Sequence, residues 1–138
     1  MGRRVAELKQ RAAEERRRGH HQREAELYDA IAQLDGDPIW KHRAGEAWRD
    51  AGALREARRR FTVAAQGFAE AQQHGKAVVA CRMALDLAPN EPLTRFILER
   101  SERALGGDHD GDDEIEIEID DDEIVESSEG DARGAGAT

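Results

Sequence analysis

The sequence predicts an all-α fold: about six amphipathic helices stacked as hairpins over residues 1–105, followed by an acidic, disordered tail over residues 106–138. Three observations predict it. Apolar residues in the first 105 positions recur at three- and four-residue spacing, the helix period, and strict alternation of strand type is absent before residue 114. Glycine- and proline-bearing breaks divide these stripes at short intervals. The charge is also divided: residues 1–105 carry 20 Lys/Arg against 16 Asp/Glu, and residues 106–138 carry one Arg against 14 Asp/Glu, so +4 and -13 make the net -9 of the 138-residue chain.

The elements follow in order. Val5, Leu8 and Ala12 share the face of a helix near 3–18, which Gly19 ends. Leu27, Ala30, Ile31 and Leu34 mark a helix near 21–35. Asp35-Gly36-Asp37-Pro38 is a turn, with Pro38 suited to the first turn of the next helix, near 38–50. That helix carries Trp40, Ala44, Ala47 and Trp48, and Asp50-Ala51-Gly52 ends it. Phe61, Ala64, Ala65 and Phe68 belong to a long helix near 53–73, with the break placed at His74-Gly75. Ala77, Ala80, Cys81, Ala84 and Leu85 mark a helix near 76–88, ended by Pro89-Asn90-Glu91-Pro92. Leu93, Phe96, Ile97 and Leu98 open the last, near 91–104, before Gly106-Gly107. Ala, Arg, Glu and Leu, abundant throughout, are strong helix formers. Short loops between antiparallel amphipathic helices give stacked hairpins.

A helix hairpin of about 34 residues is the unit of the tetratricopeptide repeat, and residues 4–105 resemble that family. In one unit Gly45, Ala57 and Ala64 stand where the family has small residues, and Trp48 and Phe61 where it has large ones. In a second, Phe61, Ala65, Phe68, Ala77, Cys81, Ala84 and Pro89 follow the same pattern, so the helix near 53–73 serves both units. The N-terminal hairpin, with Leu8, Ala12, Gly19, Glu24, Tyr28 and Ile31, follows it loosely. Phe61 to Pro89 resembles, more narrowly, the N-terminal repeats of bacterial, myxobacterial-type cyclic-nucleotide-binding regulatory proteins, where an acidic linker leads to a nucleotide-binding barrel. The resemblance implies a helical-hairpin solenoid (TPR-like) with close helix crossings at the small residues. It also implies a concave groove lined by Lys41, Glu46, Arg49, Ala65 and Glu70, and a last helix whose Arg95, Glu99, Arg100, Glu102 and Arg103 give the array a polar outer face. The two-carboxylate clamp of chaperone-binding members is not expected, because His42 and Glu46 stand where it needs Lys and Asn.

The remaining candidates have bland readings. Cys81 lies on an apolar face and reads as a buried small hydrophobe. A single Cys excludes an internal disulfide framework. His20 and His21 are adjacent, so they diverge on a helix and cannot hold one metal together. Asp108 to Glu114 has the acids of a calcium loop, yet Asp113 stands where glycine is required and Ile119 where a bidentate Glu is required. The tail has five aliphatic residues among its 14 acids, too few to build a core. Its Glu114–Ile119 stretch alternates strictly and could add as a strand to a partner's sheet. Arg55, Arg58, Arg59 and Arg60 form a basic cluster, expected to meet Asp120, Asp121, Asp122 and Glu123 in weak, salt-sensitive contact.

The expected function is a non-enzymatic scaffold or adaptor that binds a protein or peptide partner, without cofactor, metal or small-molecule substrate. No nucleophile–base set, phosphate loop or buried acid pair stands out. One alternative is the adaptor half of a cyclic-nucleotide-responsive regulator whose sensor lies elsewhere. Another is a nucleic-acid-associated factor with an acidic mimic tail. A body of only +4, aromatics at packing positions and a phosphate-repelling tail speak against the latter. No apolar run of about 18 residues spans a membrane and no signal-type h-region follows the start, so the expected setting is the cytoplasm.

Overall fold

The computed structural model of the protein describes residues 2–106. Six helices follow one another: α1 (Gly2–Arg17), α2 (His21–Leu34), α3 (Ile39–Asp50), α4 (Leu54–Glu70), α5 (His74–Leu87) and α6 (Pro92–Ala104). Among the described residues there is no strand. The all-helical fold and the expected helix order are therefore present. The tail expectations, including the calcium-loop comparison and the Glu114–Ile119 strand, lie outside the described residues.

Helices stop where the backbone can turn left-handed. Gly19 (φ 77°) and Gly52 (φ 84°) follow α1 and α3. In each case the next residue's N–H reaches back five positions, His20 to Glu15 O and Ala53 to Trp48 O, both at 2.9 Å. That bond caps carbonyls the helix leaves open. The end of α4 makes the same closure, Gln73 N–H to Phe68 O at 2.8 Å, but the left-handed residue is Gln72 (φ 64°). This corrects the expected break at His74-Gly75. The fourth helix ends at Glu70, and Gly75 is buried inside α5. At the α2–α3 turn Asp35 Oδ1 accepts from Asp37 N–H and Asp37 Oδ1 accepts from Ile39 N–H, each at 3.0 Å. These aspartates stand in for missing helix partners. Glu91 caps α6, accepting from the Thr94 N–H at 3.0 Å with Pro92 in the first turn.

Each helix packs on the one before and the one after it, and α4 also touches α6. Side chains join alternate helices. Arg60 of α4 grips Asp29 of α2, and Thr62 of α4 meets Thr94 of α6 at 3.0 Å. On the other row, Lys9 of α1 lies 5.0 Å from the centre of the Trp40 ring of α3, and Arg49 of α3 reaches Met83 Sδ of α5 at 3.7 Å.

Among the described residues ten of the twenty buried apolar ones are alanine, so the helices approach closely and the few large side chains fill what remains. Phe61 shows how. It is fully buried with Ala57 and Ala84, and its ring lies over Gly45, where an added Cβ would stand 2.8 Å from Cδ1. The small-against-large pairing expected of Gly45 and Phe61 is thus a direct contact between α3 and α4. Cys81 is fully buried, and burial, with the Glu102 charge, pushes its thiol up to about 12. It is a protonated core group at neutral pH.

Candidate functional site

The α1–α2–α3 hairpins bring three helix ends together. Antiparallel order sets the last turns of α1 and α3 beside the first turns of α2. The result is a polar pocket of about 350 Å³ lined by Arg16 of α1, by Glu24 and Tyr28 of α2, and by Arg43, Glu46, Ala47, Arg49 and Asp50 of α3. Its floor is rigid. Tyr28 is 1% exposed and stacks on Trp40 with ring centres 6.2 Å apart. The Tyr28 hydroxyl lies beside the Glu24 carboxylate. Burial, with the Glu24 charge beside it, raises its pKa, so it remains a donor at any physiological pH.

The three carboxylates differ. Glu46 pairs with Arg43 Nη1 at 2.9 Å and lies 3.6 Å from His42 Nε2. Burial would raise its pKa, but His42 and Arg43 together overcome burial and lower it to about 2. Glu24 is buried too, and there burial prevails over the His21 contact at 3.4 Å, so its pKa is raised. Asp50 is half exposed and approaches Arg49 Nε only at 4.0 Å. Arg49 spreads its guanidinium over Phe61 at 5.9 Å from the ring centre.

A second concavity lies between α4 and α6. It has about 520 Å³ and is lined on one side by Gln66, Ala69 and Glu70 and on the other by Leu93, Phe96, Ile97 and Arg100. Leu93 is 45% and Phe96 54% exposed. Arg100 lies over the Phe96 ring at 5.6 Å from its centre. Arg95, Glu99, Arg100 and Arg103 are exposed as expected, but the expected apolar stripe of the last helix is corrected, because Leu93 and Phe96 are exposed with them. The residues that α6 buries are Thr94, Ile97 and Ser101. Thr94 is drawn inward because its hydroxyl meets Thr62 and donates to Glu91 Oε1 at 2.8 Å. That rotation turns Leu93 and Phe96 to the surface.

The five residues expected to line one groove do not share a surface. Glu46 and Arg49 line the polar pocket, whereas Glu70 lines the α4–α6 groove. Lys41 is half-buried on α3 and lines neither. Ala65 is fully buried in the core and presents nothing to a partner. The cause is that Ala65 faces the core, while Glu46 and Arg49 lie beside α1 and α2 and Glu70 lies at the end of α4 beside α6.

The basic cluster is divided as well. Arg60 donates from Nε and Nη2 to both oxygens of Asp29, at 2.9 and 2.8 Å, and from Nη1 to Glu56 at 3.1 Å. Trp48 Nε1 also donates to Asp29, at 3.1 Å. Arg60 is therefore a structural clamp between α2 and α4 rather than a cation held out for an acidic tail. Arg58 is half-buried and Arg55 and Arg59 are exposed, while Asp120, Asp121, Asp122 and Glu123 lie outside the described residues. Sequence reasoning missed Glu24, Tyr28 and Arg43 as residues lining the polar pocket and Leu93 and Phe96 as residues lining the groove. A usable signal existed for the first two: Glu24 and Tyr28 sit one turn apart on a helix face that also carries Ile31.

Comparisons of the chain with protein-family models, with curated proteins and with solved structures gave no match. No described helix is long and apolar enough to cross a membrane.

Proposed function

We propose that this chain is a non-enzymatic protein–protein interaction module, a short array of tetratricopeptide-like hairpins that receives an apolar segment of a partner protein in the α4–α6 groove. One observation carries the reading. Among the described residues four large apolar side chains are exposed, Leu54, Val63, Leu93 and Phe96, and of these Leu93 and Phe96 stand side by side along one edge of a groove. Isolated exposed apolar residues are ordinary, but a group of them along a concavity marks a contact surface. Arg100 at the rim would orient a partner segment that carries an acid beside its apolar residues.

The test is affinity capture from the source cells with the full chain and with Phe96→Glu, which changes an exposed residue and leaves the core intact. Proteins retained by the natural chain and by Glu14→Gln, but lost with Phe96→Glu, are the expected result. Identical captured sets with all three baits would refute the groove as the contact surface.

A further inference from the structure

We infer that the α4–α6 groove is the seat of the chain's own residues 114–123, with Ile115, Ile117 and Ile119 against Leu93 and Phe96 and with Asp120, Asp121, Asp122 and Glu123 at Arg59 and Arg55, so that a partner must displace them. The inference rests on the groove being the contact surface proposed above, and it names what covers that surface. Three observations carry it. The first is the point at which the described chain ends. Ala104, at the end of α6, lines the groove, and Gly106 follows two residues later with a positive φ of 125°. Glycine at such an angle turns the chain out of the helix direction. Residues 107–114 then separate Gly106 from Ile115. Fully extended, that stretch reaches about 30 Å, whereas α6 rises only about 17 Å between Leu93 and Ala104. Ile115 can therefore reach any point of the groove.

The second is the apolar pattern. Three of the five aliphatic residues beyond 106 fall within Glu114–Ile119, alternating with glutamates. In an extended chain Ile115, Ile117 and Ile119 share one side at intervals of about 6.6 Å, so together they cover about 13 Å, within the length of the groove. The glutamates face the other way, to water. On α4 the exposed Val63 shares the helix face of Gln66 and Glu70 and extends the apolar wall. The third is charge. Thr62 meets Thr94, and Glu70 and Ala104 line the same groove, so α4 and α6 run parallel. A chain returning from Gly106 passes Glu70, the one carboxylate among the lining residues, with Arg100 across from it, and then Leu93. It arrives beside the first half of α4. There Arg59 lies one turn before Val63, and Arg55 one turn before that; both are exposed and make no ion pair among the described residues. Asp120 to Glu123 follow Ile119 directly, so isoleucines seated in the groove bring four acids to these two arginines.

The test is NMR on the dilute full chain with Ile, Leu and Val methyls labelled. Nuclear Overhauser contacts from the methyls of Ile115, Ile117 and Ile119 to Leu93 and the Phe96 ring are the expected result. Changing those three isoleucines to Ser in the full chain should shift the Leu93 and Val63 signals, and Ile124→Ser should not. A synthetic peptide of residues 112–124 with blocked ends should bind the three-serine chain at least about threefold more tightly than the natural chain, because the tethered segment competes at an effective concentration of order mM. Phe96→Glu in the three-serine chain should weaken the peptide about tenfold, and Arg55→Gln with Arg59→Gln about twofold, an effect that salt removes. Unchanged groove signals in the three-serine chain would overturn the inference. So would loss of contact with the arginine changes but not with the isoleucine changes, which is charge attraction alone. Contacts found only between labelled and unlabelled chains in a mixed sample would place a second copy's tail in the groove and overturn it too. The capture experiment keeps the two readings apart: proteins lost with Phe96→Glu, beside groove signals indifferent to the isoleucines, would sink the tail contact and leave the partner site. Tail contact beside captured sets indifferent to Phe96 would support the tail and sink the partner site.

Discussion

Gly45→Ala separates packing from propensity. In an exposed helix this change stabilises by about 1 kcal/mol, because alanine restricts the unfolded chain and glycine does not. Here the new Cβ would stand 2.8 Å from Cδ1 and Cε1 of Phe61 and 3.1 Å from Cγ. Ordinary carbon contacts lie at about 3.5–4.0 Å, so the ring must withdraw by most of an ångström. It has nowhere to go. Phe61 is fully buried, the His42 ring meets it at 5.2 Å between centres, and Ala57 and Ala84 close the rest of its cluster. Overpacking of this kind costs about 1–3 kcal/mol, which offsets the propensity gain and leaves a net loss of about 1 kcal/mol. Urea unfolding of the full chain measures it. Phe61→Leu in the same background should recover at least about 0.5 kcal/mol of coupling, because the two residues touch. A Gly45→Ala variant more stable than the natural chain would refute the contact, and with it the reason for a glycine in the middle of α3.

Other perturbations probe the turns and the charges. Gln72→Gly should stabilise by about 0.5–1 kcal/mol in thermal melts, since Gln72 holds a left-handed backbone that costs other residues about 1–2 kcal/mol. Asp29→Ala should destabilise by about 2–3 kcal/mol by urea unfolding, as it strips two charge-assisted bonds from Arg60 and one from Trp48. Glu24 has a folded pKa above its unfolded one, so it favours the folded state only when protonated and that contribution is lost as pH rises through the folded pKa. Glu24→Gln should therefore raise the melting temperature at pH 7, with the gain vanishing once the natural glutamate is protonated in both states. Glu46 has the opposite sign. Its contribution is present above the usual carboxylate range and falls away as pH drops toward about 2, so Glu46→Gln should cost stability at neutral pH and progressively less in acid.

The helices were legible because their ends carry the residues that end helices. Gly19 and Gly52 take up positive φ, and Asp37 and Pro38 start α3 as their chemistry requires. The α4–α5 turn was misplaced for the same reason: the left-handed position is held by a glutamine, and the nearby glycine is a packing residue inside α5. The phase of α6 was misread because Leu93 and Phe96 are more apolar than Thr94 and Ser101. Hydrogen bonds of Thr94 set the rotation, its hydroxyl donating to Glu91 and accepting from Thr62, and no hydrophobic period reports them. The polar pocket was not legible as a unit, although Glu24 and Tyr28 share a helix face. Its residues come from three helices at unrelated spacings, and only the antiparallel order of α1, α2 and α3 makes them neighbours. The arginine run at 58–60 read as one patch, although successive residues on a helix face different ways and Arg60 alone finds Asp29.

The pairing of each helix with its sequence neighbours also governs how the molecule assembles and comes apart. Most contacts close only a short loop, so the contact order is low and folding should be fast for a chain of this length. Growth can begin at the central pair, where α4 touches α3, α5 and α6, and spread outward one helix at a time. The reverse journey starts at the other end. As a packed element α1 rests on α2, with the Lys9–Trp40 contact as its link to α3. Its amides should exchange with solvent ahead of those of α4, in a graded opening that empties the polar pocket of Arg16 before the rest of the array has loosened.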